Sequence, residues 1–265
     1  MRIENLHSEI KSYLDSSPLN RVEELAIDRI FTYPLVAIAG AGDPLFKKMK
    51  DPSVIGEHFL LPEEWLPGAE TVISYFIPFS EQIRKANRKG GLPAKEWVYG
   101  RYEGEQFNES LRKFIVDYIN DTGEGKALAP MLDNRFQIVD RLSSNWSERH
   151  AAYIAGLGTF SLSRSLISSK GCAGRYGNII TTIPFPVTAR AYSDLYEHCN
   201  FCGECIKRCP ARAISMSVPD RGAGMEKEVC ANYSRDVLFP RFNPRPGCGK
   251  CQTAVPCEER IPDII

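Results

Sequence analysis

The run Cys199-x2-Cys202-x2-Cys205-x3-Cys209-Pro210 constrains this chain more than any other stretch. Three thiolates spaced two residues apart on a tight loop can point at one compact four-iron cluster, while the turn after the third carries the fourth towards a second cluster. Four more cysteines follow, Cys230, Cys248, Cys251 and Cys257, and Cys248-Gly249-Lys250-Cys251 forms a second short ligand loop. The expected pairing is Cys199, Cys202, Cys205 and Cys257 for one [4Fe-4S] cluster and Cys209, Cys230, Cys248 and Cys251 for the other. The Cys251-x5-Cys257 spacing departs from the upstream pattern and makes Cys257 the least regular ligand. Two four-cysteine zinc sites are the competing reading; the unbroken run closed by proline favours iron and sulfide. The ninth cysteine, Cys172, reads as an inert buried thiol.

Composition narrows the partners. The 265 residues carry 33 basic and 33 acidic side chains, so no bulk field holds the chain on nucleic acid or an anionic membrane. With 43% hydrophobic and 25% charged residues this is ordinary globular composition. No run reaches the roughly 18 apolar residues of a spanning helix, and Met1-Arg2-Ile3-Glu4-Asn5 lacks the character of an export signal. A cytoplasmic protein follows as the expectation, and in that compartment clustered cysteines point to metal rather than disulfides.

Upstream of residue 190 the pattern is mixed α/β. Ile3, Leu6, Ile10, Tyr13 and Leu14 recur at helical spacing until Ser17-Pro18. Apolar runs at 34–41, 71–79 and 178–185 predict buried strands, and Phe107, Leu111, Phe114, Ile115, Tyr118 and Ile119 predict a helix. Residues 80–106, with Gly90-Gly91, Pro93, Trp97, Tyr99, Arg101 and Tyr102, read as a loop, either a ligand lid or a surface loop folded on the core. Asn145 and Glu148 have capping-box spacing, which predicts a helix from there to Gly156. After Tyr192 the composition turns to Cys, Pro, Gly and charge, which marks a domain boundary.

The cluster cysteines behind an α/β domain, together with Glu148-Arg149-x5-Ala155-Gly156-Leu157-Gly158, Ile183-Pro184-Phe185-Pro186 and Leu66-Pro67-Gly68-Ala69, resemble the epoxyqueuosine reductases, relatives of the cobalamin-dependent reductive dehalogenases. The resemblance implies an α+β fold: an α/β nitroreductase-like, cobalamin-binding domain over 1–190, and a ferredoxin-like domain with two [4Fe-4S] clusters over 191–265. It implies Arg149, Gly156, Gly158 and Arg175 as cofactor-binding candidates beside a corrin with no protein ligand below cobalt. That family carries a catalytic aspartate where this chain has Leu142, which leaves Asp140, Tyr99 and Tyr102 as candidate proton donors. His150 is a further polar candidate on the same helix. The family's usual helical-repeat continuation, which helps hold transfer RNA, is not found before Ile265, so a nucleic-acid partner is not expected.

Two functions follow as expectations. One is an iron-sulfur oxidoreductase that passes electrons from an external donor, such as ferredoxin or flavodoxin, through two clusters to cobalamin and an unidentified, small-molecule substrate. The other is a ferredoxin-type electron-transfer or corrinoid-handling protein that serves a partner enzyme. No membrane partner is expected.

Overall fold

The computed structural model describes residues 1–140, 142–216 and 224–263. Helix α1 (Ile3–Ser16) precedes strand β1 (Leu35–Gly40), the short helices α2 (Pro44–Lys48) and α3 (Pro62–Trp65), and β2 (Thr71–Pro78). Then come α4 (Glu81–Asn87), the long α5 (Lys95–Asp121), β3 (Ala127–Leu128) and the hairpin of β4 (Ile138–Asp140) and β5 (Ser143–Ser144). The α/β part closes with α6 (Glu148–Ile154), the hairpin of β6 (Gly158–Phe160) and β7 (Leu166–Ser168), and β8 (Gly174–Thr181). The cysteine-rich part has only short helices, α7 (Glu204–Arg208), α8 (Lys227–Tyr233) and α9 (Phe239–Phe242). Among the described residues no helix is long and apolar enough to cross a membrane.

One antiparallel sheet, in the order β1-β2-β8-β3, organises the α/β part. Strand β2 is buried along its whole length, and its side chains alternate between two cores. Ile73, Tyr75 and Ile77 pack with Leu6, Ile10 and Leu14 of α1 and Trp97, Phe107 and Leu111 of α5. Val72 and Phe76 join Phe46, Trp65, Trp146 and Ile154 on the other side. A sheet covered on both faces explains why the strands read as continuous apolar runs, each fully buried side chain contributing about 1.5–3 kcal/mol.

Two sequence expectations need correction. Residues 80–106 are mostly helical: α4 takes 81–87 and the first half of α5 takes 95–106, with a seven-residue link at 88–94 between them. Gly100 and Gly104 sit where a Cβ would come within 2.7 Å of Ile83 and 2.8 Å of Phe31, so they let helix and core approach closely. The capping box is also absent. Helix α6 has Ser147 at its N-cap with no side-chain cap. The Asn145 amide instead donates to Arg135 O (2.8 Å), and its Oδ1 accepts from Gln137 N (3.0 Å), anchoring the chain before the β4–β5 hairpin.

Gly158 pairs with Ser168 across the β6–β7 hairpin, and a Cβ at Gly158 would lie 2.0 Å from Ile167 O. The clash is with backbone and cannot be relieved by a rotamer change. Gly158→Ala is therefore expected to cost about 1–3 kcal/mol, read as a lower urea midpoint; a wild-type midpoint would show that the hairpin opens freely.

Candidate functional site

The first cysteine set comes together. Cys199, Cys202, Cys205 and Cys257 line one cavity, walled by Leu162, Ile167 and Phe201. Cys199, Cys202 and Cys257 are the charged neighbours of Cys205, whose thiol burial pushes up to about 12. The second set meets at Cys251, whose thiol neighbours are Cys248, Cys230, Cys205 and Cys209 in that order. Burial raises the Cys251 thiol as well, so loading such a site with metal would release protons from thiols that are otherwise protonated. Among the described residues no group of three His, Cys, Asp or Glu side chains is gathered tightly enough for a single metal ion.

Helix α4 staples the second ligand loop to the α/β part. Asn87 Nδ2 donates to Cys248 O (3.1 Å), and the buried Lys250 Nζ donates to Asn87 O (3.1 Å) and Lys89 O (2.7 Å). Buried Glu258 accepts from Arg84 (3.0 Å) and Arg88 (2.8 Å) and holds the chain just beyond Cys257. Gly249 adopts φ 64°, and a Cβ there would overlap Trp97 at 1.9 Å, so glycine lets the ligand loop lie flat on α5. Cys172 faces this region too: its amide donates to Cys257 O (2.9 Å), and its Sγ to Cys257 Sγ (3.9 Å).

Arginines gather beside the second set. Arg101, on α5, has Cys251 among its charged neighbours, and burial together with Arg175 pulls its pKa down to about 10. Arg149 is exposed by surface area, yet surrounding protein desolvates it and lowers its pKa, with Cys251 again among its neighbours. Its guanidinium donates to Arg164 O (2.6 Å). Carboxylates answer only part of this charge. Arg112 is buried and grips both oxygens of Glu148 at 2.9 Å. Glu105 is shared by Arg112 (2.9 Å) and Arg175 (3.1 Å). Arg101 and Arg149 have no carboxylate partner among the described residues, and Arg101 Nε and Arg175 Nε are buried with no hydrogen-bond partner.

The remaining candidates are dispersed. Asp140 is exposed at the end of β4, where it accepts from Leu142 N (2.6 Å) and lies beside Lys227, a neighbour of Arg149 as well. Tyr99 donates to Glu24 Oε1 (2.7 Å) under the Arg245 guanidinium, 3.9 Å from its ring centre. Tyr102 is exposed and has the same guanidinium 5.6 Å away. The two tyrosines thus share Arg245. Burial, with Arg149 beside it, pushes His150 down to about 3, and its Nδ1 lies 2.7 Å from Ser147 Oγ. Gly156 turns at φ 94° against the 188–190 backbone. Sequence reasoning named Arg101 only as part of a candidate lid and missed Arg112 and the role of Lys250; the helical spacing of Trp97 and Arg101 was the available signal for the helix.

Residues 194–215 match the family model of a 4Fe-4S binding domain. No curated protein matches the chain by sequence. Among solved structures, an epoxyqueuosine reductase from Bacillus subtilis matches with a TM-score of 0.57 at 15% identity, over 99% of this chain and 70% of that one. An epoxyqueuosine reductase with a tRNA-Tyr epoxyqueuosine-modified stem loop gives 0.56 at 16%, over 97% and 66%. A reductive dehalogenase whose structure suggests a mechanism for B12-dependent dehalogenation gives 0.56 at 19%, over 86% and 30%. The chain shares the fold of the epoxyqueuosine reductases and reductive dehalogenases.

Proposed function

We propose that this chain is an iron-sulfur oxidoreductase with two [4Fe-4S] clusters and a bound cobalamin, acting on a substrate still to be identified. The observation that carries the reading is the joint arrangement of two four-cysteine sets and a group of arginines, Arg101, Arg149 and Arg175, beside one of them. The unbroken four-cysteine run closed by Pro210 supports a polynuclear cluster over two four-cysteine zinc sites.

These arginines fit a corrinoid. Arg101 and Arg175 present buried Nε donors without partners, and the amide carbonyls around a corrin ring are acceptors for such donors. When bound, a reduced cobalamin supplies a strongly nucleophilic or reducing metal centre. Arg149 and Arg175 would hold such a ring, with the backbone turn at Gly156 and the tight β6–β7 hairpin at Gly158 as further candidates for its contact. Asp140 is the proton donor we favour over Tyr99 and Tyr102, because it shares Lys227 with Arg149 while Tyr99 is committed to Glu24. The nitroreductase-like description of the α/β part belongs to this same reading.

A second reading, an electron-transfer or corrinoid-handling protein serving a partner enzyme, is favoured by Leu142, which stands where the resembling family carries its catalytic aspartate. Charge balance argues against nucleic acid, yet one structure of this fold holds a tRNA stem loop, so a tRNA stem stands beside small molecules among substrates to test.

Anaerobic purification with iron, sulfide and zinc assays, followed by cobalamin titration watched in the visible spectrum, tests the reading. About eight irons per chain and a changed cobalamin spectrum are expected. The same iron with an unchanged spectrum would remove the cobalamin and leave an electron-transfer protein, and zinc in place of iron would overturn both readings.

A further inference from the structure

Cys209 lines a second, open hollow whose character differs from that of the first cysteine cavity. The first cavity has no charged side chain in its wall. The hollow at Cys209 carries Lys207, Arg208 and Lys250, and no carboxylate lines it. Two of these cations are held by main-chain carbonyls rather than by acids. Arg208 donates to Lys250 O (3.0 Å) and Asn87 O (3.2 Å), and Lys250, buried beneath the hollow, to Asn87 O and Lys89 O, so among the described residues neither cation is paired with an acid. Lys207 reaches out beside them with a 70% exposed side chain, its partner being Glu204 at 2.6 Å. Leu92, 45% exposed, and Tyr233 add an apolar patch.

A basic rim around an apolar patch, above a cysteine that would hold a cluster, has the character of a transient docking site: charge steers the encounter and a small contact lets the partner leave. We infer that this hollow is where an acidic electron-carrier protein docks to reduce the cluster ligated by Cys209. The inference rests on the two-cluster reading above. In the step, the carrier's cofactor loses one electron and the oxidised cluster gains it, with no bond made and no proton moved. Cys251 of the same set has Arg101 and Arg149 as neighbours on one side and Cys205 on another, so the cluster reduced here adjoins both the arginines and the first set.

The test uses the iron-loaded protein, an acidic flavodoxin in its hydroquinone state as donor, and stopped-flow spectroscopy of the clusters at low and high salt. Lys207→Glu is expected to slow reduction at low salt by roughly tenfold and to flatten the salt dependence. Leu92→Asp is expected to slow it at all salt concentrations. Both variants should keep the wild-type iron content and the wild-type rate with methyl viologen radical, a small cationic donor with no need of the rim. Wild-type flavodoxin rates in both variants would overturn the docking site. A wild-type chain with only about four irons would overturn the two-cluster reading and the docking site with it, and that failure shows in the iron assay rather than in the rates.

Discussion

Replacing Cys257 by alanine is expected to remove about half the iron, from roughly eight atoms per chain to roughly four, whereas Cys172→Ala keeps it all. Sequence spacing makes Cys257 the least regular of the eight ligands, and Cys172 is the one cysteine left over. The structure separates them. Cys257 lines the cavity with Cys199, Cys202 and Cys205, and Cys172 does not. Cys172 is buried behind it, tied by its amide to Cys257 O and by its Sγ to Cys257 Sγ. That contact gives Cys172 a definite task, since a thiol that donates to a ligand sulfur stabilises the reduced, more negative cluster. Cys172→Ala should therefore lower the midpoint potential of one cluster in an EPR-monitored redox titration while iron stays at the wild-type level. Iron and sulfide analysis of both variants checks the ligand assignment. Loss of four irons in Cys172→Ala, with retention in Cys257→Ala, would exchange their roles.

The fold was legible where one physical signal dominated. Helix α1 and strands β1 and β2 bury apolar residues at the period of their element, and nothing competes with that signal. Helix α5 was legible only in its second half. Over residues 95–106 its inward face needs two small residues, Gly100 against Ile83 and Gly104 against Phe31, and in a single sequence such glycines cannot be told from turns. Asn145 misled for a related reason: its amide has the capping residue's chemistry but is used to tie 135–137 to the strand that follows. In the candidate site the cysteines were legible because ligand spacing is local. The arginine group was not, because Arg101, Arg149 and Arg175 come from α5, α6 and β8 and meet only after the sheet has formed.

Glu148, read from the sequence as part of a motif beside Arg149, points into the protein and forms a deeply set ion pair there. Arg112 is 1% exposed and binds both Glu148 oxygens, Glu105 and the Tyr176 carbonyl (3.3 Å), joining α5 to α6 and β8. Burial raises the Glu148 pKa, while the two glutamates facing Arg112 keep the guanidinium charged against its own burial. Arg112→Leu strands Glu148 and Glu105 beside a hydrophobic side chain, and such broken buried pairs cost about 3–5 kcal/mol. For a chain of this size that is roughly 6–20 °C in the thermal midpoint. Adding Glu148→Leu removes the stranded charge, and the double variant is expected to recover much of the loss, because a well-packed apolar pair can match a buried ion pair. Circular dichroism melts of the single and double variants decide it. Equal midpoints in the two would show that Glu148 finds another partner or a proton once Arg112 is gone, and that α6 is held by packing alone.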